Sequence, residues 1–354
     1  MKRTVLILTC VLTSFTGKVL GQASGTISGK FDFIPGEKVI FFDDFTNDPV
    51  GEFPAKWNSN VGGDIVTHEG SQGKWLRMKA QGGNYIPTLD MKFPENITVE
   101  FDVLFPDNAE FVTSYYSEQQ QDINANGVPG EAGSEVTLSW SGTEFKSYST
   151  NESDEGKEIA STNDNVSIKL NKVTHVAMWI QKSRYRLYFD TEKVFDIPNG
   201  VFQKFVYNRF RFSTSNSESD ILIGNFKIAV GAPDTRNQLI TKGRFSTSGI
   251  LFDVNSDKIK AESHACIKEI ATVLKENPGV KVAIVGHTDS DGDEAKNLDL
   301  SKRRALAVKN YLKDQFGVDI TNVRTDGKGE GEPMAANTTP EGKAQNRRVE
   351  FIKE

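Results

Sequence analysis

The run Gly286-His287-Thr288-Asp289-Ser290-Asp291-Gly292 gathers a histidine, two hydroxyls and two carboxylates around a glycine turn, and Arg304 follows 15 residues after Asp289. Asp289 stands where the apolar run Val280 to Val285 gives way to the turn, and Arg304 falls within a helical pattern. A strand-loop-helix path therefore brings a carboxylate and a guanidinium to one cleft. That pair suits a zwitterion, because the carboxylate takes an ammonium while the planar guanidinium fork takes a carboxylate in two parallel bonds. Two other chemistries compete for the same residues. A nucleophilic triad needs a serine on a sharp elbow and an orienting acid from a distant segment. Nothing near Ser290 has that form, so His287 reads as a strand-end structural residue. A calcium loop on Asp289, Asp291 and Asp293 needs a bidentate Glu at its twelfth position, which is Leu300. No metal and no cofactor are expected at this turn.

The elements that must position these residues are legible from Gly249 onward. A strand over 250–254 precedes a helix whose Ile259, Ile267, Ile270, Ala271 and Leu274 share a face, and Asn277-Pro278-Gly279 stops it. Strand 280–285 leads to a second helix with Leu300, Arg304, Val308, Tyr311 and Leu312 near one stripe, stopped by Gly317. A strand at 322–326, a Gly-rich loop at 327–339 and a last strand at 347–352 complete a compact α+β domain over 249–354.

The preceding half has a different pattern. Ile97, Val99, Phe101, Val103 and Phe105 alternate with Thr98, Glu100 and Asp102, the period of a strand with one buried face. Strands are also expected at 173–180, 184–189, 209–213 and 221–230, with long loops and a few strands over 107–165. Many short strands between turns argue for an antiparallel jelly-roll β-sandwich over 22–232. Gly231-Ala232-Pro233-Asp234 marks its end, and 233–248 reads as a linker.

Length and composition agree with two domains: 354 residues, 37% hydrophobic and 25% charged, belong to an ordinary globular chain. Lys2 and Arg3, the apolar stretch Val5 to Phe15 and the small-residue site at Gly21 read as a signal peptide over 1–21, with the mature chain beginning near Gln22. After it, no apolar run is long enough for a helical membrane span. Cys10 leaves with the leader, so Cys266 has no internal disulfide partner and reads as a core residue. Residues 22–242 carry a net charge of −9 and residues 243–354 carry none, so neither half has the basic footprint of a nucleic-acid binder.

The 286–292 turn, with Asn297, Leu300-Ser301, Arg304-Ala305 and later Asn346-Arg347-Arg348-Val349-Glu350-Phe351, closely resembles the signature of the OmpA C-terminal family, over roughly 250–354. The resemblance implies a non-covalent peptidoglycan-binding domain in which Asp289 and Arg304 hold the ammonium and carboxylate of diaminopimelate in the stem peptide. It also implies that Asn255, Asn297 and Arg347 flank that site. A non-enzymatic envelope protein, in the periplasm and associated with the cell wall and outer membrane, is the expectation that follows.

The first domain resembles the concanavalin or laminin-G type of sandwich at Phe42-Asp43-Asp44-Phe45, with Gly51, Pro54 and Trp57, and around His175-Val176-Ala177 and Tyr188-Phe189-Asp190. This implies a binding module for a glycan or an envelope protein. Some such sandwiches are glycoside hydrolases with carboxylates on one strand face. Here Glu100-Phe101-Asp102-Val103 begins that pattern, but Leu104 and Phe105 stand where the second acid is needed, so Glu100 and Asp102 read as a solvated strand face. His175 and Trp179 read as packing residues. Asp122 to Gly127 opens like a calcium loop, but its twelfth position is Gly133, and it reads as a turn. A wall-tethered hydrolase and an outer-membrane β-barrel over 22–235 are the alternative readings. The barrel is disfavoured because the strands look short and carry charges at even positions.

Overall fold

The computed structural model describes residues 31–80, 82–119, 122–124, 128–149, 161–164, 166–214, 217–231 and 234–354. The signal-peptide reading of 1–21 lies outside these residues, as do Ala125, Asn126 and Gly127 of the Asp122 loop. Among the described residues no helix is long and apolar enough to cross a membrane.

The first body holds strands β1 (Lys38–Asp43), β2 (Trp57–Ser59), β3 (Gly63–Val66), β4 (Trp75–Met78), β5 (Asn84–Pro87), β6 (Asn96–Leu104), β7 (Glu110–Ser117), β8 (Ala132–Ser139), β9 (Thr143–Ser149), β10 (Ser161–Asp164), β11 (Thr174–Gln181), β12 (Arg184–Phe189), β13 (Glu192–Ile197), β14 (Arg209–Ser213) and β15 (Ile221–Val230). They form two antiparallel sheets. One runs β13-β12-β11-β6-β15-β4-β3 with β1 also joined to β15, and the other runs β10-β9-β8-β7-β14-β5-β2.

The period-two pattern explains the layering. Ile97, Val99, Phe101 and Val103 of β6 and Ile221, Ile223, Phe226 and Ile228 of β15 face the second sheet and meet Phe111, Phe145, Phe210 and Phe212 across one apolar core. Phe101 meets Phe212 edge to face at 5.0 Å between centroids, a preferred aromatic geometry. Two open sheets face to face, rather than one closed barrel, overturn the outer-membrane barrel reading of 22–235.

The outer face of the first sheet corrects a second expectation. Glu100 and Asp102 are not a solvated strand face. Glu100 is buried and pairs with Lys227 at 2.9 Å, while Asp102 takes His175 Nδ1 at 2.8 Å and Asn225 Nδ2 at 2.7 Å. His175, read as a packing residue, is thus an ion-paired one, and its Nε2 also stands 3.5 Å from Glu100. The sequence shows the alternation but not which face a second layer will cover. The Phe42-Asp43-Asp44-Phe45 motif is structural in the same sense. Asp43 accepts the Phe45 N–H and the Trp57 indole N–H, which pins the left-handed turn at Phe45 to the core.

The second body comprises a helical turn (Asn237–Thr241), β16 (Arg244–Thr247), α1 (His264–Glu276), β17 (Val282–His287), α2 (Glu294–Phe316), β18 (Val323–Gly329), α3 (Pro340–Asn346) and β19 (Val349–Lys353). Its sheet runs β16-β19-β17-β18, with β17 and β18 parallel. Ile267, Ile270 and Leu274 of α1 and Ala305, Val308 and Leu312 of α2 close the core against Val282, Ile284 and Phe351. Asp293 caps α2 by accepting the Lys296 N–H, and Gly317 ends it in the left-handed conformation that only glycine adopts without penalty. Helix α2 lies close on the sheet because β17 and β18 carry glycines there. A Cβ at Gly286 would fall 2.2 Å from the Ser301 carbonyl, and one at Gly327 would fall 2.4 Å from the Lys302 nitrogen.

Three boundaries differ from the reading of the sequence. The 233–248 stretch contains the helical turn and the edge strand β16, which pairs with β19. Residues 250–254 form no strand and make only an isolated bridge, Phe252 to Ile259. The stretch before the last strand contains α3, a seven-residue helix capped by Thr339 with Pro340 at its start. The two bodies touch through α3 and β1. Val39, Phe42, Ala229 and Ala344 form a small apolar cluster, and Glu341 accepts both the Phe42 N–H and Lys56 Nζ, the latter at 2.6 Å.

Candidate ligand cleft

Strand β17 ends at His287, and the backbone then turns into the capped start of α2. The turn is tied down from three sides. Asn297 Nδ2 donates to the carbonyls of Asp289 and Asp291 and to Glu330 Oε2 at 2.7 Å. Lys343 of α3 pairs with Asp291 at 2.6 Å. Asp289, only 8% exposed, accepts the Asp291 N–H on Oδ1 and Arg347 Nη1 at 2.5 Å on Oδ2. Its carboxylate is therefore oriented before any ligand arrives.

Arg304 lies on α2 facing the same space. Its Nε donates to the Ser256 carbonyl at 2.9 Å and its guanidinium carbon sits 4.8 Å from the Phe252 ring centroid. Stacking on one side and a single bond at Nε fix the plane, and both Nη groups take no partner among the described residues, so the fork is left for an anion. Burial pulls this guanidinium down to about 10; the Asp289 charge opposes that shift, while Arg347 and Arg303 reinforce it. It stays charged at neutral pH.

Asp289, Arg304, Asn297, Asn255 and Arg347, the five residues singled out from the sequence, all line one cleft of about 480 Å³. Asn255 reaches it from an exposed turn in the left-handed region, φ 53°, which asparagine tolerates better than most residues. Asp289 is ion-paired with Arg347 and not with Arg304. Phe252, Glu330 and Lys343 were not singled out, because the contacts that give them a part here come from loop closure and not from spacing.

His287 is fully enclosed, with Nε2 3.6 Å from Glu350 Oε2. Burial alone would raise Glu350, but His287, Arg244 and Arg348 outweigh it and hold the carboxyl at about 2. This buried network braces the strand end under the cleft and presents no nucleophile.

Residues 251–347 match the model of the OmpA family. Outer membrane porin F of Pseudomonas aeruginosa is 45% identical over 101 residues, 28% of this chain and 29% of that protein. The peptidoglycan-binding protein ArfA of Mycobacterium tuberculosis is 38% identical over 103 residues, 29% of this chain and 31% of that protein. The chain thus spans about a third of the length of these curated relatives. A solved carbohydrate binding module, CBM66 from Bacillus subtilis, is 15% identical with a TM-score of 0.35 over 51% of this chain and 99% of its own, which says nothing of what the sandwich binds. The second body, joined to an antiparallel sandwich that the family match does not reach, is a domain of the OmpA family.

Proposed function

We propose that this chain is a non-enzymatic cell-envelope protein that holds peptidoglycan non-covalently through its C-terminal domain, at a cleft that clamps diaminopimelate of the stem peptide. The observation that carries the reading is the pairing of an oriented carboxylate, Asp289, with a guanidinium whose Nη fork is free, Arg304, on one cleft. The ammonium of the zwitterion goes to Asp289 and its carboxylate to Arg304. Asn297 and Arg347 hold the carboxylate side in place, and Asn255 edges the entrance. The name of the mycobacterial relative supports peptidoglycan as the ligand, and the outer-membrane names of other relatives support the envelope as the compartment. In this reading the sandwich over 22–232 presents a second binding surface for a glycan or envelope protein. The hydrolase alternative finds no support in Glu100 and Asp102, which are held by Lys227, His175 and Asn225.

The test is cosedimentation of the full chain with purified sacculi, together with its affinity for a diaminopimelate-containing peptide. Removing one partner of a desolvated charged contact costs ~2 to 5 kcal/mol, so Asp289→Ala or Arg304→Ala should weaken binding by ~30-fold or more. The double variant should be little worse than either single one, because the two contacts serve one ligand. Folded variants with unaltered melting temperature and unaltered affinity would overturn the assignment.

A further inference from the structure

The cleft that holds Asp289 and Arg304 is not a feature of the C-terminal domain alone. Its opposite wall belongs to the sandwich: Asp44 and Thr46 after β1, Gln72 and Lys74 before β4, Trp75 at the start of β4, and Asn225 on β15. Asn225 is there because the pairing of β15 with β6 slips between Gly224 and Lys227, a bulge that turns this exposed residue out of the ladder. The two walls are held in register by the joint already described. Glu341 bonds Lys56 and the Phe42 backbone, and Arg347, which also holds Asp289, lies 5.2 Å over the Phe42 ring. One arginine therefore touches both the zwitterion site and the sandwich.

Lys74 gives this second wall its chemistry. Its ammonium donates to the carbonyls of Thr46 at 2.9 Å and Asp48 at 2.6 Å, which fixes the charge in place and leaves one N–H of three. The adjoining Trp75 is 3% exposed and packs on Leu104 and Leu222, so it forms the apolar floor of this wall. The wall thus presents a fixed positive charge, and among the described sandwich residues that line the cleft Asp44 is the one carboxylate.

We infer that the sandwich forms the second wall of the peptidoglycan site, with Lys74 taking a carboxylate or amide oxygen of the peptide adjoining the zwitterionic residue. This rests on the peptidoglycan reading and extends it. The OmpA-family wall reads the zwitterion, and the sandwich wall reads the acidic peptide attached to it, so the whole chain discriminates a stem peptide from a free amino acid.

Three variants of the full chain test this against two probes, meso-diaminopimelate and the tripeptide L-Ala-γ-D-Glu-meso-diaminopimelate. Lys74→Ala should weaken the tripeptide about tenfold, as expected for one charge-assisted bond, and leave meso-diaminopimelate unchanged. Gln72→Trp, a bulky group on an exposed loop position, should obstruct the tripeptide and sacculi whatever the hydrogen bonds. Asp289→Ala should weaken both probes. If Lys74→Ala and Gln72→Trp, at unaltered melting temperature, bind the tripeptide and sacculi like the parent while Asp289→Ala loses them, the sandwich wall is a bystander and the inference falls. If Asp289→Ala also binds both probes like the parent, the zwitterion reading itself falls.

Discussion

At the scale of single residues, type and spacing indicated Asp289 and Arg304, but not how each is held. The Asn346 to Phe351 motif places Arg347 beside the site, but Arg347 follows a seven-residue helix that carries a glycine and no apolar stripe, so spacing does not show that its guanidinium pairs with Asp289. Glu350 shows the same limit. It reads as one position of an alternating strand, yet it is 2% exposed and gathers Arg244, Arg348 and His287. Burial works to raise its carboxyl, and those partners prevail and hold it at about 2, below the ordinary 4.5. A depressed carboxyl contributes stability that is fully present above its unfolded value and is lost as pH falls toward the folded one. The network should therefore contribute on the order of 3 kcal/mol at pH 5 and lose it between about pH 4.5 and 2. Glu350→Gln should be destabilised by ~3–5 kcal/mol at pH 7, since it leaves the buried Arg348 without its counter-charge, and should lose this part of the acid sensitivity. Urea unfolding at pH 7, 4.5 and 3 measures it, and equal acid slopes for variant and parent would refute the assignment.

Strands and helices were the most legible scale. The alternation of 97–105 and the mixed run 221–230 became β6 and β15, and the stripe containing Leu300, Val308 and Leu312 became α2. What the pattern could not show is the environment of the second face. Glu100, Asp102, His175 and Lys227 alternate with apolar residues as a wet face would, but in the folded chain they satisfy one another in a largely covered layer. Burial favours neutral His175, yet the bonds to Asp102 and Glu100 prevail and raise it to about 10. A raised histidine contributes stability that is complete below its unfolded value near 6.5 and is lost as pH climbs through about 10. The sandwich should thus weaken over that alkaline window by an amount on the order of a few kcal/mol. His175→Gln should flatten the window and destabilise the sheet at pH 6, because Glu100 is left with Lys227 and Asp102 with the neutral Asn225 amide, without the cation they shared. Thermal unfolding from pH 6 to 10 decides this: a variant that keeps the parent's alkaline slope would show that another group is responsible.

At the scale of the whole molecule, the passage from one body to the other is the part that the amino-acid composition conceals. A polar stretch after Gly231 has the composition of a linker, and composition does not reveal that Leu239 is fully buried in the second core beside Phe245 and Ile267. The segment is also stitched to the last strand. Arg244 to Thr247 pairs with Val349 to Ile352, the Lys353 N–H donates to the Gly243 carbonyl, and Lys353 Nζ donates to that of Ile240. The smallest unit that keeps the C-terminal core intact therefore begins near Asp234, not at Gly249. A fragment of residues 243–354 retains β16 but loses Leu239, and emptying a buried leucine site costs about 2–5 kcal/mol. A fragment of residues 234–354 should unfold cooperatively at a melting temperature clearly above that of 243–354. Both should sediment with sacculi, since Asp289, Arg304 and their supports lie in each, but tripeptide affinity should fall below that of the full chain, because neither carries the sandwich wall. Equal melting temperatures for the two fragments would show that the 234–242 segment is a tether after all.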